Sequence, residues 1–497
     1  MRRANLILKI LLVLFMHNVA AQNSLSKKQM YEDYDFLLIK LKDNFPQLDV
    51  IKVNSGKDVV KEICQLRPKI EKIKTYNEFL LLISNIFQLC NDGHTGFVDV
   101  KYAKSYINKI SDSVEIDLKL SRFERYLNGN FIKFGGESQI KYIDDKFYFS
   151  TNIQCFNLLG KITIDIQKGD KLLNINGVNV VDYQKDNYFN FVRYRLKNGS
   201  YHSVSFLFDK KKKNWIEVQK RDGRTERYDI SSFKRVSYNC GGFFKPMWYK
   251  PYVAYIDSVK ILYIYMPKMN SDDAELYKNM IIKESQSKQI NKVIIDVRGN
   301  SGGGDGLWMS VLSLIINEKL TIPFSLAFPR TNDVRSRIVD DWKENIENYK
   351  VRKIPTLQNN EYYVFDSKIE ILPDSQSVKF DGQIYVIQDE NTYSSALSLC
   401  SIANKTKKIV RAGMQTGCIG GIGLDPIVFQ FPNSKLFFRM PQCIEITNIE
   451  NEYDFYNDNI EMPYLPREGD IILYDEIYNG NYIPLSKDDI FKMIINE

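Results

Sequence analysis

Histidine is scarce in this chain: 497 residues contain three, His17, His94 and His202. Any acid–base chemistry that needs an imidazole therefore has very few places to sit. The seven cysteines, Cys64, Cys90, Cys155, Cys240, Cys400, Cys418 and Cys443, are scattered without a CxxC pair, which argues against a zinc site. Their odd number leaves at least one thiol unpaired or joined to another molecule, and the spacing does not define a pairing. After Met16 no apolar run is long enough to cross a bilayer. Dense basic sequence is confined to Asp209–Trp215, DKKKKNW, which reads as a solvated hairpin tip. Without a basic stripe interleaved with aromatics, nucleic acid is not expected as a partner.

What is present is an ordinary globular balance, 44% hydrophobic and 26% charged, with 31 Tyr and 29 Phe for sheet-rich packing. The length exceeds one hydrophobic core and implies several domains. The first 21 residues read as a secretory signal peptide. Arg2 and Arg3 precede an apolar run from Leu6 to Met16, and Val19-Ala20-Ala21 is a small-residue cleavage site. An exported protein, periplasmic or secreted and soluble after cleavage, is the expectation. Loss of Arg2, Arg3 and Lys9 takes the 68 basic residues to 65 against 61 acidic ones, a mild excess of four.

Residues 22–99 carry apolar residues at three- and four-residue spacing, as in MYEDYDFLLIKLKDNF and TYNEFLLLISNIFQLC, and predict a helical domain. Its last helix stops at Asn91-Asp92-Gly93, just before His94. Residues 100–240 predict short strands separated by turn signals, and KGDKLLNINGVNVVDY, 168–183, resembles the strand–turn element of PDZ-like domains, although an ordinary hairpin explains it equally well. From residue 241 to 497 strands alternate with helices, which implies a mostly parallel sheet. The fold class expected is multidomain α/β.

Two segments of the last part can carry chemistry. VIIDVRGNSGGGDG, 293–306, runs a buried strand into a glycine loop whose bare amides suit an anion, either a dinucleotide phosphate or the oxyanion of acyl transfer. It lacks GxGxxG spacing, and the acidic residue some twenty positions on that a dinucleotide needs is represented only by Glu318, near a helix end. ENTYSSALSLC, 390–400, places serines where a helix begins, as an N-cap or as a nucleophile.

Taken together, DGHTGF, GDKLLNINGVNV, IIDVRGNSGGG and TYSSA resemble, in order, the segments of the C-terminal-processing (tail-specific) serine proteases, whose relatives include the tricorn protease core and the interphotoreceptor retinoid-binding proteins. The resemblance implies a PDZ-like middle domain and a catalytic domain similar to the ClpP and crotonase group. It implies Ser394 as nucleophile, with Ser395 as the alternative register. An oxyanion hole would come from the Ser395 amide and from Gly302 or Gly303. The family's common base, a lysine about two dozen residues after the serine, is missing: MQTGCIGGIG has Cys418 or a glycine there, and no lysine occurs between Lys408 and Lys435. The tricorn branch uses histidine instead, which implies His94 as general base and leaves His202 to a strand. Glu461 or Asp458, in NDNIEMPYLP, would orient it, while Asp296 and Arg298 would hold the glycine loop. No metal or cofactor is implied, and the substrate would be a peptide or protein. Oligomeric state is open. A catalytically silent binding protein on the same scaffold is the rival reading.

Overall fold

The computed structural model describes residues 25–497 apart from 91, 108–112, 136–139, 151, 157–161, 187–191, 196–200, 204, 231–235, 239–249, 355–356, 358–360, 417–425, 451–453, 457–459 and 471–487. The expected signal peptide, Asp458, Cys240 and Cys418 lie outside the described residues.

The N-terminal helices form where their caps predict. Ser26 and Gln29 make a capping box at the start of Lys27–Asn44, and Thr75 and Glu78 make another at Tyr76–Leu89. These helices share one core with the C-terminal half of the chain, since Tyr34, Leu37, Phe79, Ile83 and Phe87 pack with Phe429, Phe431, Phe437 and Phe438. Polar contacts fix the docking. The buried carboxylate of Asp33 accepts the amides of Asn433 (2.8 Å) and Ser434 (2.8 Å). Lys40 and Asn44 both reach Asp333. Directly after the histidine turn, the strand Gly96–Val98 pairs antiparallel with Phe437–Met440.

The middle region departs from its sequence reading in two places. Residues expected to begin short strands at 100 instead contain the helix Ser113–Asn130, whose apolar residues, among them the buried Ile116 and Phe123, recur at helical rather than alternate spacing. The basic run 210–213 is exposed but is no hairpin tip: Ser205–Asp209 pairs with Phe131–Gly135, whereas Trp215–Gln219 pairs with Lys171–Ile175 and Thr225–Asp229. The run joins two sheets. KYIDDKFYF folds as the hairpin Ile140–Ile143 and Lys146–Phe149, turning on Asp144 and Asp145, both with positive φ. In the PDZ-resembling stretch, Asn176-Gly177 turns Lys171–Ile175 into Val178–Asn179, and the helix Val180–Asp186 follows. His202 lies in the strand Tyr201–Ser203.

The C-terminal part is built on a six-stranded sheet in the order Tyr252–Ile256, Ile261–Tyr265, Lys292–Asp296, Ile384–Gln388, Ile409–Gly413, Met462–Pro463. Its first pair is antiparallel and the rest parallel. Strand alternation sorts the side chains: Leu262, Ile264, Val293 and Ile295 pack with Trp308 and Leu397, while Tyr263, Tyr265, Ile294 and Tyr385 pack with Phe491 and Ile494. With both faces covered, the sheet explains why these strands read as continuous apolar runs. The architecture is multidomain α/β.

Candidate active site

The glycine loop leaves the C-terminal end of Lys292–Asp296, and the serine loop leaves that of the adjacent strand Ile384–Gln388, so both open at the same edge of the sheet. Buried polar groups fasten the two loops together. Asp389, 0% exposed, accepts the amides of Gly299 (2.9 Å) and Asn391 (3.0 Å), while the Tyr393 amide donates to the Asn300 carbonyl (3.0 Å). Burial, reinforced by the neighbouring Glu390 carboxylate, pushes the Asp389 carboxyl up to about 7. Glu390 is itself paired with Lys141 of the middle region, both nearly inaccessible to water. Asp296 and Arg298 lie in a buried network at the start of the glycine loop. The Arg298 guanidinium, 1% exposed, bridges Asp296 and Asp488, and the Tyr263 hydroxyl donates to Asp296. Four buried charges and dipoles thereby brace the start of the glycine loop.

Ser394 stands at the N-cap of the helix Ser395–Ser401 with φ 54° and ψ −128°, a conformation that costs a non-glycine residue energy and persists only where its surroundings over-determine it. Gly302 is one of those surroundings. A Cβ on it would lie 2.6 Å from Ser394 Cβ and 2.8 Å from the Tyr393 carbonyl oxygen. The two serines differ: the Ser395 hydroxyl donates to Asp305 Oδ1 (2.6 Å), which also accepts from Trp308 Nε1 (2.9 Å). The alternative register thus places a buried, hydrogen-bonded hydroxyl at the nucleophile position, whereas Ser394 is half-buried.

The two candidate glycines also separate. The Gly302 amide donates to Asn300 Oδ1 (2.8 Å) and is spent within the loop. Gly303, at φ +148°, lies so close to Met269 that a Cβ would sit 2.0 Å from its carbonyl oxygen. Among the described residues no hydrogen bond occupies the Gly303 or the Ser395 amide.

The histidine turn arrives from the other end of the chain. The Tyr393 hydroxyl lies 3.2 Å from His94 Nδ1, donates to Asp92 Oδ1 (2.9 Å) and accepts from the Gly93 amide (3.1 Å). The two rings are 5.0 Å apart between centroids. Asp92 Oδ2 accepts from the His94 amide (3.0 Å) and the Thr95 hydroxyl (2.8 Å). Burial raises the Asp92 carboxyl above its ordinary range, opposed by His94, Thr95 and Tyr393. The expected orienter Glu461 is engaged elsewhere: its carboxylate accepts from the Arg411 amide (3.0 Å) and guanidinium (3.1 Å). From sequence, Asp92 has no role beyond a helix stop and a place in the DGHTGF segment, and Tyr393 none beyond the variable position between Thr392 and Ser394. The signal for Asp92 was its two-residue distance from His94; nothing in the sequence marked Tyr393.

Residues 260–442 match the family model of peptidase family S41. That stretch of the chain is similar to peptidase family S41. The match supports a serine-type peptidase. No curated protein matches the sequence. Among solved structures, the chain is similar to mature CPAF at 14% identity and a TM-score of 0.54, covering 93% of this chain and 99% of that one. It is also similar to mature CPAF complexed with lactacystin, at 15% identity and a TM-score of 0.55, covering 95% of this chain and 100% of that one. At such identities the likeness is one of fold. Glu318, on which the dinucleotide reading depended, lies in an exposed bend rather than on a second strand. No group of His, Cys, Asp and Glu among the described residues has the arrangement of a metal site. No helix among them is long and apolar enough to cross a membrane. Cys64, Cys90 and Cys400 are free thiols.

Proposed function

We propose that the protein is an exported serine endopeptidase of the tail-specific or tricorn-like kind, which cleaves peptide bonds through a Ser394–His94 acyl-enzyme mechanism. The observation that carries this reading is the contact between the serine loop and the histidine turn, 3.2 Å from Tyr393 Oη to His94 Nδ1 across 299 positions of sequence. The strained Ser394 backbone and the two unoccupied amides favour the same reading.

In this mechanism His94 takes the Ser394 proton as Oγ attacks the scissile carbonyl carbon. The Gly303 and Ser395 amides receive the oxyanion. His94 then gives the proton to the leaving amine as the carbon–nitrogen bond breaks, leaving an ester on Ser394. Water, deprotonated by His94, attacks the ester; the acid is released and the serine hydroxyl restored. Export rests on the N-terminal leader-like sequence. Preference for a chain terminus rests on the resemblance of 168–183 to the strand–turn element of PDZ-like domains, which bind an extended peptide by strand addition.

The test is fluorophosphonate labelling together with turnover of a peptide library by wild type, Ser394→Ala and His94→Ala. Labelling and hydrolysis lost in both variants is the expected result. An unlabelled wild type that takes up a small apolar ligand would favour the silent binding protein. Equal cleavage of peptides with free and amidated C-termini would remove the tail-specific part.

A further inference from the structure

We propose that Asp92, acting through the Tyr393 hydroxyl, is the positioning pair that fixes the tautomer and orientation of His94, in place of a carboxylate from late in the chain. The kinetic part rests on the peptidase reading above.

Hydrogen-bond accounting leads there. A phenol has one proton and two lone pairs. Asp92 is a pure acceptor when ionised, so the phenol proton points at its Oδ1, 2.9 Å away. The Gly93 amide fills one lone pair at 3.1 Å. What Tyr393 presents to His94 Nδ1, at 3.2 Å, is then its second lone pair, and Nδ1 must carry the proton. The Nε2 lone pair is thereby in the form a general base requires. Asp92 does not make this contact directly, because its Oδ1 is 4.0 Å from Nδ1. Nor can it rotate away, because the His94 amide and the Thr95 hydroxyl hold its other oxygen. Its side chain is 0% exposed, so water does not compete for the carboxylate. Tyr393 is equally constrained: its amide is bonded to Asn300, and Gly93 packs on its ring, where a Cβ would come within 3.1 Å. One residue thus transmits the state of a buried carboxylate to the base and abuts the nucleophile in sequence. The late carboxylate of Glu461 is meanwhile bound to Arg411, whose side chain is 1% exposed.

The experiment compares wild type, Tyr393→Phe and Asp92→Asn, each checked by circular dichroism, on the best-cleaved library peptide, and reads the His94 tautomer by nitrogen-15 NMR above the pH at which the imidazole titrates. Wild type should carry its proton on Nδ1. In Asp92→Asn the amide oxygen stays with the two donors of His94 and Thr95. The new NH2 group then faces Tyr393, the phenol proton turns to Nδ1, and the proton of His94 moves to Nε2. A kcat loss of about a hundredfold or more with KM within about twofold is expected. Tyr393→Phe should lower kcat about tenfold to a hundredfold and move the acid limb of the pH profile to lower pH, since the imidazolium loses its link to Asp92. A wild type protonated on Nε2, or variants with wild-type kcat and pH profile, would overturn the pair. A wild type with the Nδ1 proton but no turnover would sink the peptidase reading and leave the positioning pair standing.

Discussion

Ser394 follows a strand flanked on both sides in a parallel sheet, whereas His94 precedes a three-residue strand at the edge of a small antiparallel one. The serine loop is tied down by buried groups on all sides: Asp389, Asn300, Gly302 and the Lys141–Glu390 pair. The histidine turn is held by its own aspartate, by Tyr393 and by docking of the N-terminal helices on the 427–440 hairpin. Strain is stored on the first side, where the surroundings can impose it; the second side depends on docking. The proposed catalytic geometry therefore has a rigid half and a half that is only as good as its interface.

Removing the hydroxyl from the rigid half should have the largest effect. Ser394→Ala should lower kcat by about 10^4-fold or more, while Ser395→Ala, which removes only a hydroxyl bonded to Asp305, should cost about tenfold at most. Comparable losses in the two would exchange their roles. Gly302→Ala should follow, with activity down about a hundredfold, because the new methyl meets Ser394 and the Tyr393 carbonyl at a φ of +100°. The control is Gly56→Ala in the helical region, where φ is +69° but no atom lies within 4 Å. It should cost only about 1 kcal/mol by thermal unfolding and leave kcat unchanged.

Asp33→Ala sharpens the comparison from the docking side. One buried and one half-buried amide lose their acceptor, at about 1–3 kcal/mol for the buried one and less for the other. Hydrogen exchange should speed up in the N-terminal helices and around 433–434 while the strands at 292–296 and 384–388 stay protected. Uniform deprotection would mean that the two halves open as one unit. The smallest effect concerns Asp389. Its carboxyl is raised to about 7 in the folded protein, so between the ordinary carboxylate range and pH 7 the native state holds a proton that the unfolded state has lost. Stability from this group is present at low pH and disappears as pH rises through 7, by no more than about 1.4 kcal/mol per pH unit. Asp389→Asn should flatten that decline in denaturant midpoints measured from pH 5 to 8.

The central sheet was legible because apolar strands alternating with amphipathic helices leave little choice of class. The glycine loop and TYSSA were legible because backbone demands restrict residue type. The helix Ser113–Asn130 was missed since its polar residues, such as Lys119 and Arg125, masked a sparse apolar stripe. Choosing between Gly302 and Gly303 required knowing where the Asn300 side chain turns, a tertiary fact. Glu461 was nominated by position in the chain, but Arg411 is its neighbour across adjacent parallel strands, a pairing no linear pattern exposes. Tyr393 was hidden for the same reason: its partners lie about three hundred residues upstream.

The pairing of Gly96–Val98 with Phe437–Met440 also sets an order of events. A polypeptide emerging from a ribosome or a translocation pore presents His94 early, yet the strand that seats it is made only when nearly nine-tenths of the chain has been synthesised. Until then the turn lacks that partner strand. On the proposed Ser394–His94 chemistry, topology alone would delay completion of the site until late in synthesis.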